Sequence, residues 1–270
     1  MSADAGALRD AAVEIARGAG AILLEGYGRI HAPERKGRID LVTDYDRRSE
    51  AFVLGEIGRR FPEHAVLAEE SGAHSGSGTR WVVDPLDGTT NFAHNYPFFG
   101  VSIGVEADGA LVAGAVFDPV RDEMFAAALG SGATRNGEPM RVSGIARVED
   151  ALLVTGFPYD VREHPERSIP LFQAFLSRAQ GIRRDGSAAL NMAYLACGRF
   201  DGFWELDLSP WDMAAGTLLV REAGGTVTRF DGNDFRIDGR QILASNGRVH
   251  AEMQDILTAA RHQAGPAARG

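Results

Sequence analysis

The chain has 270 residues, of which 44% are hydrophobic and 24% charged, a composition ordinary for a globular protein with a sizeable core. The net charge of −9 argues against nucleic-acid binding, which needs clustered basic residues. No apolar run approaches the ~20 residues of a membrane span, and the N-terminus lacks the basic and apolar regions of a signal peptide. Cys197 is the only cysteine, which excludes intrachain disulfides and cysteine-based zinc sites. We therefore expect a cytoplasmic protein with no membrane partner.

The N-terminal half is predicted to contain two helices and a group of strands. Apolar residues recur at helical spacing in the two predicted helices, over residues 4–27 and from Asp44 or Asp46 to about Arg60. Strands are expected at 65–68, 81–83, 98–105, 111–117 and 123–127, the last three as an antiparallel meander. The Gly/Ser-rich residues 72–78 predict a mobile loop.

The C-terminal half alternates strands and helices. Strands are predicted at residues 152–155, 200–206, 224–228 and 242–245, and helices at 169–177, 188–196, 211–222 and 249–260. Helices cluster between groups of strands, which indicates alternating helix and sheet layers. We expect one α+β domain over residues 1–270, with an N-terminal lobe at about 1–147 and a C-terminal lobe at about 148–265.

The most informative stretch is residues 81–92, WVVDPLDGTTNF. It predicts a buried strand that stops at Asp84 and turns at Pro85, because proline fixes one backbone angle and keeps its predecessor extended. Asp84 and Asp87 can then point into one pocket. Gly88 and the threonines after it have the composition of a helix start, whose free N–H groups suit an anion. Taken alone, the Asp-x-x-Asp spacing is more typical of an ordinary acidic Pro-Gly turn.

Acidic residues stand out in two further segments. Glu69 and Glu70 end a predicted strand, and Asp212 begins a predicted helix, where it is also a reasonable capping acid. Together with Asp84 and Asp87, they are enough carboxylates for two divalent cations about 4 Å apart. The seven histidines are scattered and no phosphate-binding glycine motif of the Walker or GxGxxG type occurs, which disfavours histidine-ligated zinc, kinase and dehydrogenase chemistry.

These segments resemble the inositol monophosphatase family over roughly residues 5–262. The resemblance rests on Glu69-Glu70-Ser71, on residues 81–92, and on the blocks HNYP at 94–97, RRDGSAAL at 183–190, WDMAAG at 211–216 and EAGG at 222–225. It implies a layered αβαβα fold of the sugar-phosphatase type and Mg²⁺-dependent hydrolysis of a phosphate monoester, the small-molecule partner.

The resemblance also implies roles for individual residues. The implied metal ligands are Glu69, Asp84, the Leu86 carbonyl, Asp87 and Asp212. Thr89, supported by Asp46, orients the attacking water, and Glu69 accepts its proton. The N–H groups of Gly88 and Thr89 hold the phosphate. The alcohol part lies against Asp87, Gly186, Ser187, Ala188 and Glu205. Lys36, the only lysine among 28 basic residues, falls within one position of a family lysine near the metals.

Several alternatives remain open from the sequence. Histidinol phosphate, fructose 1,6-bisphosphate and 3′-phosphonucleotides are substrates of the wider superfamily, whereas Thr90, Asn91 and Phe92 favour the inositol branch. The resemblance further implies a homodimer and inhibition by lithium. Some bacterial family members associate with the transcription machinery, so a regulatory binding role is the competing hypothesis, with Arg183 and Arg184 as its candidate surface.

Overall fold

The structure, a computed structural model of the chain, describes residues 4–29, 34–35 and 41–263. The α-helices in these residues are α1 Ala5–Gly26, α2 Asp44–Arg60, α3 Thr89–Ala93, α4 Ile169–Leu176, α5 Ala188–Ala196, α6 Pro210–Glu222 and α7 His250–Gln263. The strands are β1 Glu34–Arg35, β2 Leu41–Val42, β3 Ala65–Ala68, β4 Gly72–His74, β5 Thr79–Asp87, β6 Gly100–Ala107, β7 Ala110–Asp118, β8 Glu123–Ala128, β9 Ala133–Arg135, β10 Glu138–Pro139, β11 Leu152–Thr155, β12 Gly181–Arg183, β13 Gly202–Leu206, β14 Thr226–Thr228 and β15 Gln241–Ser245. Short 3₁₀ helices lie at Val148–Asp150 and Pro165–Arg167. Among the described residues, no helix is both long and apolar enough to cross a membrane.

The strands form two large sheets and one small ladder. The first sheet has eight strands in the order β10-β9-β8-β7-β6-β5-β3-β4, antiparallel throughout except for the parallel β3–β5 pair. The second has five strands in the order β12-β11-β13-β15-β14, with β11 parallel to both of its neighbours. Strands β1 and β2 pair separately with each other. The predicted antiparallel meander corresponds to β6, β7 and β8 and is confirmed.

Three apolar clusters hold these sheets in five layers. Helices α1 and α2 pack on one face of the eight-stranded sheet, with Ile15, Leu23 and Val53 fully buried there. Helices α5 and α6 fill the space between the two sheets. Helices α4 and α7 cover the outer face of the five-stranded sheet, where Phe175 stacks against Trp204 at 4.1 Å between ring centroids. The expected αβαβα sandwich is therefore confirmed.

Two glycines bring the central helix α6 against the large sheet. A Cβ atom added to Gly104 on β6 would lie 2.5 Å from the Cβ of Ala214, and one added to Gly114 on β7 would lie 3.1 Å from the Cα of Ala215. Because neither strand position carries a side chain, the first turns of α6 lie almost directly on the sheet. This contact sets where Asp212, at the start of α6, stands relative to β5.

Two sequence expectations are wrong in detail. Strand β5 does not stop at Asp84 but continues through Pro85 to Asp87. Proline has no N–H to donate to β6, and the pairing shifts register at this position. Asp84 pairs with Ser102 and Asp87 with Gly100. The predicted loop at 72–78 begins as strand β4, since its first three residues pair with β3.

Candidate active site

A cavity of about 520 Å³ opens where the β5–α3 segment meets the beginnings of α5 and α6 and the end of β13. Its inner end is formed by Asp84, Asp87 and Asp212, which come from three separate segments. Its exposed part, here called the mouth, includes Tyr159, Arg162, Arg184 and Arg240. The volume is that of an ordinary small-molecule site.

The carboxylates at the inner end lie close together. One carboxylate oxygen from each of Asp84, Asp87 and Asp212 lies within 4.8 Å of the other two. Burial, and after it the charges of neighbouring carboxylates, raises the pKa of both Asp84 and Asp212 well above the usual range of an aspartate. The charges that raise the pKa of Asp84 come from Glu69, Asp87 and Asp212. An all-oxygen donor set of this kind fits Mg²⁺.

Strand geometry brings Glu69 to the same place. Its N–H donates to the Val83 carbonyl at 3.2 Å, which extends the parallel β3–β5 pairing by one residue. The Glu69 side chain hydrogen-bonds that of Asp84, and its charge acts on Asp84 and Asp212. One Asp84 oxygen accepts the Leu86 N–H at 2.9 Å, and this bond shapes the irregular end of β5.

Thr89 lies between a buried acid and a backbone carbonyl. Its hydroxyl oxygen is 3.0 Å from Asp46 Oδ1 and 3.1 Å from the Leu86 carbonyl oxygen. A hydroxyl has one proton, so Thr89 can donate to only one of these two at a time. Asp46 Oδ2 is occupied by the N–H and hydroxyl of Thr43, at 2.8 and 2.5 Å. Burial raises the pKa of Asp46, while the hydrogen bonds from Thr43 and Thr89 act in the opposite direction.

Gly88 connects β5 to the short helix α3 in a left-handed conformation. Its φ is +96°, and an added Cβ would lie 3.1 Å from the Phe98 carbonyl oxygen and 3.3 Å from that of Gly186. A side chain there would be strained by the backbone conformation and crowded by both carbonyls. Gly88 and Thr89 line the cavity, so the backbone at the start of α3 borders the carboxylate cluster.

Asp87 joins the two halves of the site. Its carboxylate accepts the Ser187 hydroxyl at 2.6 Å and the N–H groups of Ala189 and Ala188 at 2.7 and 3.3 Å. Burial raises the pKa of Asp87 to about 6, although these hydrogen bonds act in the opposite direction. Ser187 is also the N-cap of α5 and accepts the Leu190 N–H. The predicted residues 186–188 therefore lie beside the carboxylates from β5.

Glu205, on β13, is a further acid that lines the cavity. Its carboxyl group packs against Gly156, where an added Cβ would clash with all three carboxyl atoms. Burial raises the pKa of Glu205 to about 8, with Arg184 lowering it and Asp87 raising it. The side chain thus tends to be protonated near neutral pH, unlike an exposed glutamate.

Several supporting residues were not predicted from the sequence. On α2, the Ser49 hydroxyl donates to the Pro85 carbonyl at 2.8 Å, and Glu50 accepts the Glu70 N–H at 2.8 Å. Asn91 donates to the carbonyls of Phe98 and Asp185 at 2.7 and 2.8 Å, linking α3 to the substrate-side loop. Ser49 and Glu50 could have been found from the sequence, because positions 46, 49 and 50 share one face of helix α2. Lys36 lies outside the described residues.

Comparison with known proteins finds relatives over nearly the whole chain. The profile of the Inositol monophosphatase family matches residues 4–265. The chain is 45% identical over 251 residues to the inositol-1-monophosphatase of Synechocystis sp., spanning 92% of this chain and 88% of that protein. It is 42% identical over 256 residues to Nus factor SuhB of Escherichia coli K12, spanning 92% and 96%. The structure of inositol monophosphatase from Anabaena matches with a TM-score of 0.86 at 44% identity, covering 94% of this chain and 96% of that one.

The layered fold and these matches define a phosphatase. More narrowly, the chain belongs to the inositol monophosphatase family, because the family profile covers nearly the whole sequence and the relatives match end to end. The resemblance expected from the residue blocks is confirmed.

Proposed function

We propose that the protein hydrolyses phosphate monoesters of inositol, or of a related sugar or polyol, in a Mg²⁺-dependent reaction. The observation that carries this proposal is the convergence of three carboxylate oxygens within 4.8 Å of one another, next to the glycine that precedes a helix. Membership of the family supports phosphate-ester hydrolysis, and the acidic cluster supports a divalent cation.

Five oxygen-donating residues would hold the metal. These are Glu69, Asp84, Asp87 and Asp212 through their carboxylates, and Leu86 through its carbonyl. Bound Mg²⁺ would supply Lewis-acid polarisation of the phosphate and a lowered pKa for a coordinated water. The cation would also offset the repulsion that raises the pKa of Asp84 and Asp212 in the metal-free protein.

The chain's own residues would handle the attacking water. Thr43 occupies Oδ2 of Asp46, which leaves Oδ1 to accept the Thr89 proton. With its proton committed to Asp46, Thr89 has a free lone pair that can accept a hydrogen bond from water and orient it. Glu69, at the end of β3, would take the proton that the water loses. No covalent intermediate is required.

Different protein groups would contact the phosphate and the alcohol part of the substrate. The N–H groups of Gly88 and Thr89 are candidates for the phosphate oxygens, because the first N–H groups of a helix have no intrahelical partner. Such preorganised donors stabilise charge that develops in the transition state. Around the alcohol part, the proposed contacts are Asp87, Gly186, Ser187, Ala188 and Glu205. Lys36 is proposed to act near the metals.

The test is phosphate release from a panel of phosphomonoesters, with and without Mg²⁺ and Li⁺. The panel contains inositol 1-phosphate, histidinol phosphate, fructose 1,6-bisphosphate and a 3′-phosphonucleotide. We expect Mg²⁺-dependent, lithium-inhibited release from inositol 1-phosphate, and the rank of the other esters shows which alcohol parts the site accepts. Asp87→Asn and Asp212→Asn should each abolish it, whereas Asp231→Asn, at an exposed site, is the matched control. Full activity of either cavity variant would contradict the proposal.

A second candidate function is regulatory binding within the transcription machinery. It is favoured by the 42% identity to a protein named Nus factor, which spans nearly the whole of both chains. The exposed Arg183 and Arg184, at the end of edge strand β12, are the proposed surface, and a homodimer is the proposed assembly. Affinity capture from lysate should recover transcription proteins with wild type and Asp87→Asn alike. Capture that depends on the metal-site carboxylate would argue against an independent binding role.

A further inference from the structure

The mouth of the cavity carries the opposite charge to its inner end. Arg162 and Arg240 line the mouth and are both exposed, while the inner end is a cluster of carboxylates. A phosphate held by cations at the inner end explains the carboxylates. It does not explain the exposed arginines of the same cavity, of which Arg184 acts on Glu205 while Arg162 and Arg240 remain to be explained.

One aspartate shares the mouth with these arginines, but it already has a partner. Asp207 Oδ2 lies 2.5 Å from Nη2 of Arg167, whose Nη1 also holds Asp160 at 3.1 Å. The Nε of Arg240 stands 3.7 Å from Asp207, and the Arg240 side chain is 70% exposed. Because the shorter and more buried contact belongs to Arg167, Arg240 keeps most of its charge available to a ligand.

The positive charge of Arg162 has still fewer partners than that of Arg240. Within the part of the chain that the structure describes, it forms neither an ion pair nor a hydrogen bond. It follows Asp160 by two residues, and Asp160 is held by Arg167. On the other side, the Arg240 carbonyl accepts the Leu208 N–H at 3.2 Å. The Asp160–Arg167–Asp207 network therefore joins the loop that carries Arg162 to the aspartate that Arg240 contacts, and both arginines line the cavity.

We propose that Arg162 and Arg240 form a distal anion subsite, which selects substrates whose alcohol part carries a second anionic group, a carboxylate or a phosphate. This inference rests on the proposed function, since it requires the reacting phosphate at the inner end. Guanidinium groups match both anions in geometry and charge. An uncharged polyol monophosphate would leave the subsite filled with water.

The experiment uses three substrates that share one six-carbon chain and differ only at the carbon farthest from the reacting phosphate. They are glucitol 6-phosphate, gluconate 6-phosphate and glucitol 1,6-bisphosphate, with a hydroxyl, a carboxylate and a phosphate there. Initial phosphate release gives kcat/KM for each with wild type, with Arg162→Gln/Arg240→Gln and with Arg178→Gln. Arg178 is exposed and away from the cavity, so its variant controls for the loss of a positive charge.

We expect wild type to have a higher kcat/KM for at least one charged substrate than for glucitol 6-phosphate. The double variant should reduce the ratio of these two kcat/KM values about tenfold, mainly by raising KM for the charged substrate. The Arg178→Gln variant should keep the wild-type ratio. Arg162→Lys/Arg240→Lys, which retains the charges, should keep part of it. Loss confined to the carboxylate or the bisphosphate identifies which anion the subsite accepts.

Two results would overturn the subsite. One is a wild-type preference for the uncharged substrate. The other is a parallel loss for all three substrates in the double variant, which would show general attraction of anions. In contrast, a wild type that releases phosphate from no monoester in either panel would contradict the proposed function itself. The two failures are therefore distinguishable.

Discussion

The inner end and the mouth of the cavity are built in different ways. At the inner end, Asp84 is 2% exposed and Asp87 7% exposed, and each carboxylate accepts hydrogen bonds from protein groups. At the mouth, the Arg240 side chain is 70% exposed and makes one long ion pair. The inner end is part of the core, whereas the mouth is part of the surface.

This difference separates two tasks. Groups that must act on a phosphate at fixed positions are placed where packing and hydrogen bonds leave one arrangement. Groups that recognise the variable part of a substrate lie on loops, where a sequence change alters affinity without disturbing the core. The inner end should therefore determine the reaction and the mouth the choice of substrate. The following predictions test that division.

The largest effect is expected from Asp84→Asn at the inner end. The carboxamide keeps an oxygen for the Leu86 N–H but removes one charge from the cluster. We expect activity to fall by about 1,000-fold or more. The metal-free protein should become more stable, with Tm rising by roughly 2–4 °C, because a buried like-charge repulsion is removed. Phosphate release and thermal unfolding in EDTA measure both, and an unchanged or lower Tm would contradict the repulsion argument.

Thr89 provides the next test, because its hydroxyl and its packing can be separated. Thr89→Ala should lower kcat by about 100-fold or more, since the proposed water-orienting group is lost. Thr89→Ser keeps the hydroxyl that faces Asp46 and should stay within about tenfold of wild type. The comparison is made at saturating substrate. Equal losses in the two variants would assign Thr89 a packing role.

Glu205, on the wall between inner end and mouth, should make stability depend on pH. Its pKa is about 8 in the folded protein against 4.5 for an ordinary glutamate, so the folded state binds the extra proton between these values. Its contribution to stability is fully present below pH 4.5 and is lost as the pH rises through 8. Glu205→Gln should flatten that decline. Urea unfolding of both metal-free proteins at several pH values gives the free energy of unfolding. Parallel plots of that free energy against pH would rule out a contribution from Glu205.

The smallest effect is expected at the mouth. Arg167→Gln breaks the contacts to Asp160 and Asp207 that hold the loop at 156–162 against β13. We expect KM to rise about three- to tenfold and kcat to fall less, because the reacting groups lie elsewhere. Steady-state kinetics on a polyol phosphate decides this. A kcat loss comparable to that of Thr89→Ala would remove the distinction between the two regions.

The sequence predicted the inner end better than the mouth for a physical reason. Asp84, Asp87 and Gly88 lie within five consecutive residues, so local backbone chemistry allows them to share a pocket, and the family resemblance favoured that arrangement. Glu69 and Asp212 stand at a strand end and a helix start, and the family resemblance implied that they are ligands. The link from Arg167 to Asp207 joins residues forty positions apart, and neither lies in a residue pattern that predicts it.

Other misses have the same origin. Pro85 predicted the end of a strand. The structure continues the strand because the position without an N–H falls where the pairing of β5 with β6 shifts register. Ser49 and Glu50 are polar residues that the sequence analysis did not single out, yet both are buried against the backbone near the site. The layered fold was predicted correctly. The single-domain boundaries, the homodimer and the cytoplasmic setting stay predictions.

The two glycines beneath α6 have a consequence for how the site can change. Asp212 sits in the first turn of α6, one turn or less from the alanines that touch Gly104 and Gly114. A single methyl group added on either strand would push that end of the helix outward and carry the carboxylate with it. Core packing therefore sets the distance between Asp212 and the aspartates of β5. A substitution at Gly104 or Gly114 would change that distance without replacing any residue that contacts a substrate.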